Sequence, residues 1–153
     1  RDRLDVHPRL GNNALLARAI GLVKPQPFFE RKGILTGQRF DTKIRRDTLV
    51  RKIERAVGGE VHLAPGGPAT AKSIGVITGG AGSEVAAIAA CGIDTFITGE
   101  GPHHTYTLAE ELGVNLIYAG HYATETFGVR ALAEHLAKRY KMKHCFIDHP
   151  TGL

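Results

Sequence analysis

Three times between residues 73 and 140, a short apolar run ends in a glycine turn and gives way to a helix-like stretch. No other feature narrows the possible folds as much. Residues 74–78 are followed by GGAGS, residues 95–98 by Gly99-Glu100, and residues 114–119 by Gly120-His121. The segments after these turns predict an alanine-rich helix closed by Gly92, a helix ending at Gly113, and a long helix reaching about Tyr140. Strands joined by helical crossovers pair in parallel and are covered by the helices that join them. The fold class expected is therefore α/β, a layered sheet with flanking helices, largely parallel in the C-terminal half. Ligands of such sheets gather beyond the carboxyl ends of the strands. The three glycine turns are expected to line one cleft.

The first half reads less regularly. Asn12 or Asn13 can cap a helix over residues 14–19 that Gly21 ends, after which Pro25 and Pro27 interrupt the pattern. Residues 33–40 predict a strand. Asp47 can cap a helix over residues 48–57, where Leu49, Val50, Ile53, Ala56 and Val57 form one apolar stripe. Residues 60–63 predict another strand, APGGPAT a linker, and residues 143–147 a last strand. With 153 residues, 42% of them apolar and 23% charged, the chain is expected to form a single α/β domain over residues 1–153.

No apolar run approaches the roughly 20 residues that cross a bilayer, so a membrane partner is not expected. Cys91 and Cys145, far apart and in no paired motif, predict reduced core residues of a cytoplasmic protein. The formal charge of +5 comes from two basic clusters, Lys43 to Arg55 and Lys138 to Lys143, without interleaved aromatic residues. That pattern fits solvated helix faces and an anionic small substrate better than nucleic acid.

Chemistry concentrates at the glycine turns. In GHYATE, His121 and Glu125 lie four apart, a spacing that puts an imidazole and a carboxylate on one helix face. Such a pair can hold a divalent ion; it can equally be a helix-start carboxylate beside a packed histidine. Asp5, in LDVHPRLGNN, is a candidate third ligand or a turn former. The mixed nitrogen and oxygen set suits zinc, manganese, iron or cobalt. GGAGSE is either a phosphate cradle or a packing turn, and it lacks both the last glycine of a dinucleotide fingerprint and a P-loop lysine. Glu100, His103 and His104 follow the second strand as candidates for proton transfer or as solvated helix-start residues.

Together, LDVHPRLGNNALLARAIGL, GVITGGAGSEVAAIAACGIDTFITGE and GVNLIYAGHYATETFGVRALAEHL resemble the Nif-like dinuclear-metal-centre hexameric family. Its members are often labelled GTP cyclohydrolase 1 type 2 homologues. The resemblance implies that Asp5, His121 and Glu125 are metal ligands, the two carboxylates bridging two divalent ions. It implies that Glu100 and the neighbouring His104 line the same cavity, where they would move protons or orient a substrate. It also implies a toroidal homohexamer, a metal-dependent hydrolase and a nucleotide substrate. The alternative is a non-catalytic, metal-stabilised scaffold or regulatory binding protein. Family members carry an upstream half whose adjacent histidine pair completes the two metal sites. His103-His104 falls in the wrong place to be that pair, so this sequence is expected to be the C-terminal portion of a larger chain.

Overall fold

The computed structural model describes residues 5–152. Six strands form one sheet in the order β1-β2-β4-β5-β6-β3. The strands are β1 (Gln26–Arg31), β2 (Ile34–Arg45), β3 (His62–Pro65), β4 (Thr70–Val76), β5 (Thr95–Thr98) and β6 (Asn115–Tyr118). The helices are α1 (Asn12–Ala19), α2 (Arg46–Val57), α3 (Val85–Ala90), α4 (Thr105–Leu112) and α5 (His121–Tyr140), with a short 3₁₀ turn at Gly82–Glu84 before α3. β4, β5 and β6 are parallel, as the alternating pattern requires, while β1, β2 and β3 pair antiparallel with their neighbours.

Alternation along the central strands divides the core into two layers. Ile97 and Ile117 share a layer with Leu16 of α1, Ile20 just after it, and Leu49 and Ile53 of α2. Their chain neighbours Phe96 and Leu116 face Val85 and Ile88 of α3 and Ala109 of α4. Leu49 and Ile53, four apart on α2, are wholly buried, each worth about 1.5–3 kcal/mol relative to exposure. The helix stops at Gly58, whose left-handed φ of 75° turns the Gly59 N–H back onto the Glu54 carbonyl at 3.3 Å.

Several expectations need correction. β1 forms despite Pro25 and Pro27, because it is an edge strand and needs no inward N–H at the proline. β2 runs on to Arg45, its exposed Asp41, Lys43 and Arg45 alternating with half-buried Thr42 and Ile44. Residues 143–147 form no strand. The Tyr122 hydroxyl of α5 bonds Asp148 Oδ1 and accepts the His149 N–H, both at 2.8 Å, and the Arg130 guanidinium lies 4.0 Å from the Phe146 ring centre. The tail is thus tied by side chains to a helix, not by ladder bonds to a strand. Cys91 and Cys145 are exposed, not core residues. Cys91 directly follows the last turn of α3, beyond its buried face.

Asn12 and Asn13 do not cap α1. Both are buried and join distant segments. Asn13 Nδ2 donates to the Thr36 carbonyl at 2.7 Å, and its Oδ1 accepts from the Thr78 N–H at 2.8 Å and hydroxyl at 3.0 Å. One side chain therefore fastens α1, β2 and the end of β4. Asn13→Ala leaves buried partners unsatisfied and should cost on the order of 2–4 kcal/mol in denaturant unfolding. Asp47→Ala, which removes the exposed 3.5 Å pair with Arg45 and a carboxylate at the start of α2, should cost no more than about 1 kcal/mol.

Tyr118 ends β6 with its hydroxyl against that of Thr105. Burial pushes the phenol above its usual value, and the bond to Thr105 works against that shift. Above about pH 10 the unfolded chain releases this proton while the folded chain still holds it. The contribution is therefore complete below that pH and is lost as pH rises through the folded value. Unfolding measured across pH 9–11 should show stability falling with pH, with a shallower fall in Tyr118→Phe.

Candidate metal site

The carboxyl ends of β4, β5 and β6 are stitched to one another by backbone bonds. The Gly79 carbonyl accepts the N–H groups of Gly99 at 2.8 Å and Glu100 at 3.1 Å, and Gly120 N–H reaches the Gly99 carbonyl at 3.0 Å. Gly99 is required by this closeness. A Cβ there would stand 2.6 Å from the Gly79 oxygen and 2.7 Å from His121 Cα. The same stitching decides how the glycine turn of GGAGSE is used. The N–H groups of Gly79, Ala81 and Gly82 bond Thr124 Oγ1, Thr98 Oγ1 and the Glu100 carbonyl. These donors are committed to protein partners, so this part of the turn serves packing.

His121 is the first residue of α5, and the stitched turns bring Glu100 to one edge of its ring and Glu125 to the other. Nδ1 lies 2.6 Å from Glu100 Oε1, and Nε2 lies 3.2 Å from Glu125 Oε1. A carboxylate can only accept, so each of these contacts draws a ring N–H toward it in the absence of an ion; a cation bound between Nε2 and Glu125 would take the place of the proton there, with Nδ1–H still directed at Glu100. Two ligand atoms on one tetrahedral zinc-like ion, each about 2.0–2.2 Å from it, stand about 3.3–3.6 Å apart. His121 and Glu125, at 3.2 Å, come close to that separation, and Glu100 supplies the carboxylate behind the histidine that metal-binding imidazoles generally have. The pair fits a divalent ion.

Asp5 lies on the same cleft, a cavity of about 250 Å³ that also takes in His121, Glu125, Thr78 and Arg31. Asn12 fixes its carboxylate: Asn12 Nδ2 donates to Asp5 Oδ1 at 2.7 Å, while Asn12 Oδ1 accepts the Gly128 N–H of α5 at 2.6 Å. The loop of LDVHPRLGNN is built to allow this. His7 Nδ1 accepts from the Arg9 and Leu10 N–H groups, and a Cβ on Gly11 would collide with the Asp5 and His7 carbonyls. Among the described residues, no three His, Cys, Asp or Glu side chains are close enough to hold one ion together.

The structure thus brings Asp5, His121 and Glu125 to one cleft and sets Glu100 against the histidine. His104 goes elsewhere, exposed at the start of α4 and on neither cavity that His121 lines. The sequence reading missed Asn12 as the holder of Asp5, although the asparagine pair stands in the motif itself. A second cavity, of about 700 Å³, opens on the other side of His121 and Glu125, with Val129, Phe146 and Ile147 as its apolar wall.

Comparison with known proteins agrees with this architecture. A Deinococcus radiodurans protein named GTP cyclohydrolase 1 type 2 homolog is 38% identical over 98% of this chain and 58% of its own length. A Yersinia pestis protein of the same name is 39% identical over 97% of this chain and 59% of its own length. This chain therefore spans less than two thirds of either relative. The crystal structure of TTHA1606 from Thermus thermophilus superposes with a TM-score of 0.85 at 35% identity, over 100% of this chain and 60% of that one. Among the described residues, no helix is long and apolar enough to cross a membrane. Residues 3–152 match the model of the Duf34/NIF3 (NGG1p interacting factor 3) family, and the chain belongs to that family.

Proposed function

We propose that this chain binds divalent metal through His121 and Glu125, with Asp5 as a further ligand, as part of a dinuclear centre. The reading rests on the 3.2 Å approach of His121 Nε2 to Glu125 Oε1, with Nδ1 held by Glu100. The activity proposed for the whole protein is metal-dependent hydrolysis of a nucleotide or related anionic substrate. A bound divalent ion would supply Lewis-acid chemistry, polarising a substrate oxygen and easing deprotonation of water. The chain's own residues do the positioning. Glu100 holds the ring of His121 from its Nδ1 edge, and Asn12 holds the Asp5 carboxylate. Glu100 is thereby a positioning residue, and no proton-transfer role is proposed for His104.

The alternative, a metal-stabilised scaffold, has one observation in its favour. Val129, Tyr140 and Ile147 are exposed along α5 and the tail, Ile147 by 83%, a surface suited to contact with other copies in the proposed homohexamer. Chelation that dissolves the oligomer, with no turnover across a nucleotide panel, would select this reading over the hydrolase.

Elemental analysis of purified protein, loaded with zinc, manganese, iron or cobalt and then dialysed, tests the site. His121→Ala should lose the bound metal. Glu100→Gln, which keeps an acceptor but removes the charge, should weaken binding about tenfold or more. Parent protein that retains no more metal than His121→Ala would refute the assignment.

A further inference from the structure

We propose that Phe29 and Arg31 of the edge strand β1 form the substrate-binding wall of this cleft, Arg31 for an anionic group and Phe29 for a planar ring. The inference rests on the metal-site reading and names what that site holds beside the ion. Phe29 is a mid-strand residue with φ of 61°, in the left-handed region that a bulky L-residue rarely adopts. Register between β1 and β2 is continuous from Gln26↔Arg39 to Arg31↔Ile34, and the position opposite Thr36 is the one step at which Phe29 makes no ladder pair. Thr36 fills that step differently, its hydroxyl donating to the Phe29 carbonyl at 3.1 Å.

The consequence is directional. Neighbouring residues of a regular strand point to opposite faces. Phe28 and Phe29 instead both pack against the core layer of α3 and α4, their ring centres 6.3 Å apart and tilted by 51°. Phe29 also lines, with Ile77, Thr78 and Ala81, the cavity onto which Asp5, His121 and Glu125 open. Asn13, by bonding the Thr36 carbonyl and Thr78, fastens this part of the hairpin to the cleft. Backbone strain kept in place by surrounding bonds is a mark of functional sites.

Arg31, two residues on and exposed, lines the same cavity. Around it stand three carboxylates, Asp5, Glu84 and Glu125. Three negative charges against one guanidinium disfavour an anion until cations offset them, so anion affinity should rise when divalent metal is present. Arg31 then offers the forked donor that phosphate or carboxylate accepts, and the exposed part of the Phe29 ring offers a flat apolar surface for a base or similar ring.

Calorimetric titration of the full chain with ribose 5-phosphate and with guanosine 5′-monophosphate, each with zinc and with chelator, separates these roles. Arg31→Gln should weaken both ligands about tenfold. Phe29→Gly, which takes up the positive φ without strain, should weaken only the nucleotide, also by about tenfold. The proposal is overturned if the parent binds neither ligand, if Arg31→Gln leaves both within twofold, or if Phe29→Gly weakens both alike. Metal content, measured on every protein, keeps the two readings apart. A parent that holds metal yet binds neither ligand refutes the roles of Phe29 and Arg31 alone, whereas a parent without metal refutes the metal site and, with it, the metal-dependent anion binding proposed for Arg31.

Discussion

Everything in the site depends on how closely three backbone turns approach one another. β5 lies between β4 and β6, so the turn after β5 must touch the turns on both sides. Gly99 makes that possible, since any larger residue would push against both the Gly79 carbonyl and the start of α5. The side chains inherit the result. Glu100 follows Gly99 by one residue and His121 follows Gly120 by one, so backbone bonds of 2.8–3.1 Å between the turns set the ring and carboxylate in contact. The short polar contact is a consequence of glycine-mediated packing, and it would survive changes in surface charge far better than a change at Gly99.

Charge is arranged against the helix that carries the proposed ligands His121 and Glu125. α5 begins at His121, and the N-terminus of a helix bears partial positive charge. A cation held there is repelled by the helix and must be held by carboxylates. Glu125 provides one from the next turn of the same helix, Asp5 one from across the cleft, and Glu100 one behind the imidazole. The helix end that opposes a cation favours an anion beside it. The proposed metal and an anionic substrate are therefore compatible at this end of the sheet, and Arg31 lines the same cavity.

The alternating half was legible because its physics is local. Thr95–Thr98 forms the strand its β-branched and aromatic residues predict, and the helix from His121 stops at Tyr140 where the apolar spacing ends. The i, i+4 relation of His121 and Glu125 follows from helix geometry alone. Features set by tertiary position were not legible. Pro27 reads as a breaker, yet an edge position in the sheet makes it harmless. Phe146 and Ile147 read as strand, and the side-chain ties to Tyr122 and Arg130 that draw the tail along α5 leave no local trace. Glu100 and His104 carry similar sequence signals after β5, and only the folded turn separates the one that meets His121 from the one that faces solvent.

Asn12 shows how stability and site are joined in this chain. Its amide has two ends, and the fold uses both: the NH₂ group restrains Asp5, and the oxygen accepts the Gly128 N–H from the middle of α5. A Cβ at Gly128 would come within 2.8 Å of that oxygen, so the glycine is what lets α1 lie close enough for the bond. Asp5 and Glu125 are 120 positions apart, and neither belongs to a strand. Their common cleft is held in part by one buried amide set between two helices. Because a buried amide left half-satisfied is costly, the same bond that steadies the packing of α1 on α5 also holds the aspartate in place. In this molecule the loop that carries Asp5 cannot relax without loosening the core beside it.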